Sequence, residues 1–306
     1  MDTAASPSGS VYCFGEVLWD CFPDHRQRIG GAPFNVAAHL ARLGGSAHLI
    51  SAVGYDPLGA EALAALQRHG LSSTHVAQHR DLPTGTVQVT LDASGQPSYH
   101  IVEPAAWDRI VVSEALLDAV GKPGQVLVYG SLAARSQTNL RLLQRLLDRL
   151  HPTAWPVFDV NLRPPYDDLA RIGELAQHAS WLKLNDAELA VLSGCSYYPD
   201  TIEKVLQALA ERFNLSRITL TLGERGAIHL ADGALYRVPG RRIDVADTVG
   251  AGDAFVAALL MGAFPARSAI DWAGALQRAN ALAAFVASQA GAVPAYDPDV
   301  VLGDEG

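Results

Sequence analysis

The segment Asp247-Thr248-Val249-Gly250-Ala251-Gly252-Asp253-Ala254-Phe255 sets a carboxylate behind a glycine-bearing turn and in front of an apolar run. Glycine at 250 and 252 lets the backbone approach a ligand closely, and the first N–H groups of a helix opening here have no partners within it. Such a turn cradles an anion, a phosphate above all. Asp253 beside it can accept the proton of an attacking hydroxyl, while the N–H groups of Gly250, Ala251 and Gly252 stabilise charge on the group in transit. The chemistry would be phosphoryl transfer to a hydroxyl. A plainer reading makes Asp253 the cap of a core helix and the glycines a tight turn.

A second set of polar residues lies near the other end. Gly30-Gly31-Ala32-Pro33-Phe34-Asn35 is a loop entering a helix, and the two glycines admit a polyol close to the backbone. Asn35 carries a donor and an acceptor that can bridge neighbouring hydroxyls, and Asp20 adds an acceptor at the end of the first strand. Asp159, Asn161 and Arg163 alternate at a strand end, so their side chains are expected on one side, at the carboxyl edge where open α/β sheets bind ligands. A surface ion pair is the simpler use of Arg163. Asn185 followed by Glu188 has the spacing of a helix capping box. The stretch 219–226 reads as strand, Gly-Glu-Arg-Gly turn, strand. His39 is expected to be a buried, hydrogen-bonded histidine.

The string 247–255 resembles the C-terminal signature of the ribokinase-like carbohydrate kinases, also called the phosphofructokinase-B family, and Gly30-Gly31-Ala32-Pro33-Phe34-Asn35-Val36-Ala37 resembles their N-terminal motif. The resemblance spans residues 11–301 and implies an ATP-dependent sugar kinase using Mg2+, with Asp253 as general base and the 250–253 backbone as anion hole. It also implies sugar contacts at Asp20, Gly31 and Asn35, with Arg163 reaching the sugar or the transferring phosphate. Asn185 and Glu188 match an Asn-x-x-Glu element that positions magnesium and phosphates through water; Thr221, Gly223 and Gly226 match a nucleotide-edge segment, and Asn280 an adenine-pocket position. Asp247, with the carbonyls of 291–292, corresponds to a site for a monovalent cation such as K+ in some relatives. Phe34 departs from the small residue expected there, and the shape of the pocket is open at that point.

Gly-Glu-Val-Leu-Trp-Asp at 15–20, Asp-Val-Asn-Leu-Arg at 159–163 and Glu-Pro-Ala-Ala-Trp-Asp at 103–108 look most like fructokinases, which makes D-fructose the expected acceptor. Ribokinase, 2-keto-3-deoxygluconate kinase and nucleoside kinase are the alternatives within the family. Outside it stand a binding regulator of sugar or nucleotide that lost turnover and a dinucleotide oxidoreductase. The intact Asp253 speaks against the first, and the lack of Gly-x-Gly-x-x-Gly after the first strand against the second.

Elements that would position these residues alternate between strand and helix, the pattern of an α/β fold with a mainly parallel sheet. Strands are expected at 11–18, 47–53, 126–129, 157–160, 181–184 and 218–222, and helices at 33–43, 56–69, 137–150, 169–178, 201–213 and 270–288, the second with Asp56 as cap and Pro57 at its first position. One stretch breaks the rhythm. Residues 84–102 carry apolar side chains at period two around a turn at 93–96, a hairpin that has no crossover helix to join a parallel sheet. By resemblance it belongs to a β lid over the sugar, with 19–30 in the same lid, on a three-layer ribokinase-like sandwich. The expected domain is 10–306 with lid segments 19–30 and 84–108, and 1–9 disordered. A projecting lid leaves open edges that a second copy would cover, so a homodimer is expected.

Composition narrows the class. The chain has 306 residues, 49% hydrophobic and 18% charged, enough to bury a large core. A net charge of −9 argues against nucleic acid or an anionic membrane surface as partner. Three cysteines without metal-ligand spacing suit reduced thiols, and no signal peptide is read at the start. The expected location is the cytoplasm.

Overall fold

The computed structural model describes residues 9–91, 97–194, 201–264 and 270–303. The turn at 93–96, Cys195 and residues 1–8 lie outside them. The strands are β1 (Val11–Phe14), β2 (Leu18–Cys21), β3 (Gln27–Gly30), β4 (Ala47–Gly54), β5 (Val76–His79), β6 (Gly85–Leu91), β7 (Pro97–Ile101), β8 (Val126–Gly130), β9 (Trp155–Asp159), β10 (Trp181–Asn185), β11 (Arg217–Thr221), β12 (Ala227–Ala231) and β13 (Ala234–Val238). The helices are α1 (Ala32–Arg42), α2 (Pro57–Arg68), α3 (Glu114–Val120), α4 (Gln137–Arg149), α5 (Leu169–Gln177), α6 (Asp186–Ser193), α7 (Ile202–Phe213), α8 (Ala251–Ala263), α9 (Trp272–Ala287) and α10 (Pro298–Leu302).

The buried side chains of β1 alternate between two cores. Val11 and Cys13 pack with α1, α2, α8 and α9, whereas Tyr12 and Phe14 pack with α3 to α7. A strand buried on both faces needs apolar residues at every position, and helix layers on both sides follow from the period of two. The nine-stranded sheet runs β13-β12-β11-β10-β9-β8-β1-β4-β5, parallel from β11 to β5 and antiparallel only at β12 and β13. From β1 the chain first fills the β4 side and then crosses to β8, so the order reverses between β1 and β8. The carboxyl ends of the strands beside that reversal form the ligand crevice of such sheets.

Local chemistry sets several helix starts. Asp56 accepts from Gly59 N–H at 2.8 Å with Pro57 in the first turn of α2, as the sequence predicts. α8 is apolar nearly all round because it lies inside, between α1 and α9. No helix among the described residues is long and apolar enough to cross a membrane.

A second sheet, β3-β2-β6-β7, stands apart from the first and contains both the 84–102 hairpin and the 19–30 segment. The expected strand 11–18 is corrected here: β1 ends at Phe14, Gly15 (φ +145) turns the chain away, and Leu18 already belongs to β2. The buried apolar Val17 and Leu18 continue the hydrophobic run and hide the break in the sequence. Asp20 is therefore a lid residue on β2 and does not end the central strand. The alternation through Asp159, Asn161 and Arg163 is likewise corrected: β9 stops at Asp159, and Asn161 takes φ +39, which ends the extended pattern.

Candidate active site

A cleft of about 1530 Å³ opens at the carboxyl ends of β1, β8, β9, β10 and β11, between the lid and the start of α8. Its volume exceeds the range of roughly 300–1,000 Å³ typical of a single small ligand, and leaves room for two ligands side by side. Asp20, Gly31, Asn35 and Arg163 lie on its wall at the lid end, Thr221, Gly223, Gly226 and Asn280 at the other, with Asn185, Gly250, Ala251, Gly252 and Asp253 between. Glu188 and Asp247 are not on the wall.

The turn before α8 is built for close approach. Gly250 takes φ +81, and a Cβ there would stand 2.5 Å from the Cα of Ala292, so only glycine fits. Ala254 N–H donates to the Gly250 carbonyl at 2.9 Å, the first helical bond. Ala251 N–H bends back to the Thr248 carbonyl at 3.3 Å, whereas the N–H groups of Gly252 and Asp253 find no acceptor among the described residues. Those two donors are the unpaired N–H groups of the turn.

Asp253 is the third residue of α8, and no side chain caps this helix, whose N-cap is Gly250. That removes the capping reading. Its Oδ2 accepts from Asn35 Nδ2 at 2.8 Å, a bond that joins two motifs 218 residues apart. Burial pushes the carboxyl up to about 6, and Asp159 adds to this, while the Asn35 bond, Lys183 and Arg163 hold it down. Asn35 is itself buried, and its Oδ1 has no hydrogen-bond partner. An unsatisfied buried carbonyl on the wall of a cleft can accept from a donor placed there.

Two carboxylates flank this pair. Glu16, just beyond β1, accepts from Ala32 N–H at 3.2 Å; burial raises it to about 7, against the pull of backbone N–H groups and Arg163. Burial likewise lifts Asp20 to about 6, with Arg28 opposing. Gly31 takes φ +110, and a Cβ there would meet the Glu16 carbonyl at 2.4 Å, which packs the loop tightly against Glu16. Arg163 pairs with no carboxylate among the described residues; its Nη1 donates to the Leu162 carbonyl at 3.0 Å, and its charge faces Glu16, Asp20 and Asp253. Phe34 points the other way, fully buried edge-on against the His69 ring, so it does not shape the cleft. His39 is buried, with Nδ1 at 2.9 Å from the Tyr296 hydroxyl and Nε2 at 2.9 Å from the Ala292 carbonyl.

Lys183 was not singled out in the sequence. Its Nζ lies 3.0 and 3.3 Å from the two oxygens of Asp159, with both residues buried, and 3.3 Å from where a Cβ on Gly252 would stand. An ammonium thus sits behind the 250–253 turn. Burial works against its charge, but Asp159 and Glu188 outweigh it and raise its affinity for the proton. The available signal was a lone lysine in the buried strand Trp-Leu-Lys-Leu-Asn, which demands a buried partner.

At the far end Asn280 on α9 is buried, its Nδ2 donating to the Pro239 carbonyl at 2.9 Å. Thr221 closes β11, and Gly223 and Gly226 take φ +58 and +94 around a single helical turn. Arg225, Arg241 and Arg242 also face the cleft here, which suits phosphate groups.

The capping box at α6 is formed in full: Asn185 Oδ1 accepts from Glu188 N–H at 2.9 Å, and Glu188 Oε2 accepts from Asn185 N–H at 2.8 Å. Glu188 Oε1 also accepts from Leu162 N–H at 2.9 Å. No cluster of three metal-binding side chains occurs among the described residues.

The comparisons agree with the geometry. A profile of the pfkB family carbohydrate kinases matches residues 15–298. Fructokinase from Klebsiella pneumoniae is 31% identical over 266 residues, covering 83% of this chain and 84% of its own. A double-mutant fructokinase from Vibrio cholerae O395, solved with fructose, ADP and potassium bound, superposes with a TM-score of 0.82 at 26% identity, covering 94% of this chain and 95% of that one. Aminoimidazole riboside kinase from Salmonella enterica, solved with its riboside and an ATP analogue, gives 0.79 at 26% identity, covering 96% of this chain and 100% of that one. With a matched profile across nearly its whole length and the same fold, the chain belongs to the pfkB family of carbohydrate kinases.

Proposed function

We propose that the protein transfers the terminal phosphoryl group of ATP to a hydroxyl of D-fructose, with Asp253 as general base and the 250–253 turn as anion hole. The observation that carries this reading is the Asn35–Asp253 hydrogen bond, with Asn35 Oδ1 left free beside it. It sets a base and a hydroxyl acceptor side by side at the edge of the anion cradle. A sugar hydroxyl held by Asn35 and Asp20 would face Asp253, which orients it and takes its proton late, as a loose metaphosphate-like group passes across. The N–H groups of Gly252 and Asp253, with Lys183 behind them and Arg163 opposite, would hold the charge of that group. The nucleotide would extend over Thr221, Gly223, Gly226 and Asn280. Mg2+ bound to its phosphates, reached from Asn185 and Glu188 through water, would neutralise phosphate charge. The enzyme would work in the cytoplasm, where ATP is made.

Fructose is favoured by the fructokinase relatives and by the fructose-bound structural neighbour. A riboside acceptor is the second reading, because the riboside kinase superposes nearly as well. A panel of fructose, ribose, 2-keto-3-deoxygluconate, adenosine and aminoimidazole riboside with magnesium-ATP, followed by ADP release, is the test. Fructose should give the highest kcat/KM. A higher value for another acceptor would overturn the sugar while leaving the kinase; ligand binding with no ADP release from any would overturn turnover itself and leave a regulator.

We further propose a homodimer through the lid. The outer strands β3 and β7 are open edges, and Tyr99 on β7 is half exposed. Light scattering should give about twice the chain mass of 32.5 kDa. Sugar binding should slow hydrogen exchange in β6 and β7 if the lid covers the sugar, and a monomer whose exchange there ignores added sugar would remove both the dimer and that lid.

A further inference from the structure

Asp247 opens the anion turn, and in the fructokinase neighbour solved with potassium a monovalent ion accompanies ADP and fructose. In this chain the carboxylate of Asp247 is already occupied. Oδ1 accepts from Val249 N–H at 3.0 Å, and Oδ2 accepts from Gly291 N–H at 3.2 Å and from Arg28 Nη1 at 3.3 Å. Arg28 comes from β3 of the lid, 219 residues away, and its guanidinium also lies 5.5 Å from the centre of the Phe22 ring. Its Nη1 is 3.9 Å from where a Cβ on Gly291 would stand, so the guanidinium lies beside the 291 turn. Of the two carbonyls at the 291 turn, that of Ala292 faces His39 Nε2 at 2.9 Å.

We propose that Arg28 is the resident cation of the Asp247 loop, supplying from within the chain the positive charge that a monovalent metal ion would otherwise bring. An ion entering here would meet a guanidinium of its own sign and a carboxylate that already accepts three hydrogen bonds. The loop does need a cation. An uncompensated Asp247 three residues before Gly250 would oppose the phosphate charge that the turn has to accept, and Arg28 removes that opposition. The pair is partly exposed, with 36% and 24% of the two side chains open, so it is of moderate strength and replaceable. The same guanidinium also lowers the proton affinity of Asp20 across the β2–β3 ladder, so a single side chain serves both the sugar carboxylate and the phosphate turn.

This assignment rests on the kinase reading for its activity arm and on melting alone for its other arm. The enzyme and an Arg28→Met variant, which keeps length and loses charge, are assayed in potassium, sodium and tetramethylammonium salts at equal ionic strength. Unmodified enzyme should turn over within about twofold in all three, whereas Arg28→Met should lose about fivefold to tenfold in tetramethylammonium and regain most of it in potassium. Without any substrate, potassium should raise the melting temperature of Arg28→Met and leave that of the unmodified chain unchanged. Strong potassium stimulation of the unmodified enzyme, or an Arg28→Met protein indifferent to potassium in both arms, would overturn the assignment. A potassium-dependent melting shift confined to the variant would uphold it even if the panel of sugars had failed to reveal turnover.

Discussion

Asp253→Asn should give a folded protein that still binds ATP and whose turnover falls by on the order of 10²–10⁴. The substitution keeps the shape of the side chain and removes the proton acceptor at the edge of the anion cradle. No cap is lost, because Gly250 and not Asp253 opens α8. The pH profile gives an independent sign. Burial raises the Asp253 carboxyl to about 6, and only its ionised form accepts a proton, so kcat/KM should fall as pH drops through about 6. Asp20 near 6 and Glu16 near 7 share the wall, and the acid limb belongs to the group of them together. Asn35→Ala removes the hydrogen bond that favours the carboxylate, so it should shift this limb to higher pH as well as raise KM for sugar. A folded Asp253→Asn enzyme with near-normal turnover would falsify the general-base role.

Lys183→Met should have the next largest effect, and two measurements separate its parts. Removing the ammonium leaves Asp159 buried without its partner, which is expected to cost about 3–5 kcal/mol of stability. Pairing it with Asp159→Asn removes both charges and should restore most of that stability in denaturant unfolding. If Lys183 stabilises the transferring group through the cradle at Gly252, the double variant should still lose about 10²–10³ in kcat, the scale of one missing electrostatic contact in an anion hole. Recovery of kcat together with stability in the double variant would reduce Lys183 to a structural ion pair.

The turn before α8 was legible in the sequence because its geometry is local. A Gly at a left-handed position, free N–H groups at a helix start and a carboxylate within that turn are properties of consecutive residues, and the structure places them as the spacing predicts. The capping box at Asn185 and the cap at Asp56 were readable for the same reason. The lid was visible as a break from helix and strand alternation to period two. Its true beginning was not, since Val17 and Leu18 are apolar in either sheet and only the turn at Gly15 parts them.

Charge state and pairing were decided elsewhere. A helix dipole favours an ionised carboxylate in its first turn, yet burial and the neighbouring Asp159 raise Asp253 to about 6, because desolvation acts through the whole surroundings and the dipole only through one turn. Asn35 with Asp253, Lys183 with Asp159 and Arg28 with Asp247 are pairs separated by 218, 24 and 219 residues. The sequence by itself determined which groups were present and the local backbone that presents them. Which of those groups meet, and how much water they keep, followed only from stacking the strands so that β1, β9 and β10 end on one crevice with α8 and the lid closing over it, since burial and Coulomb partners are set by distances in space that chain separation does not encode.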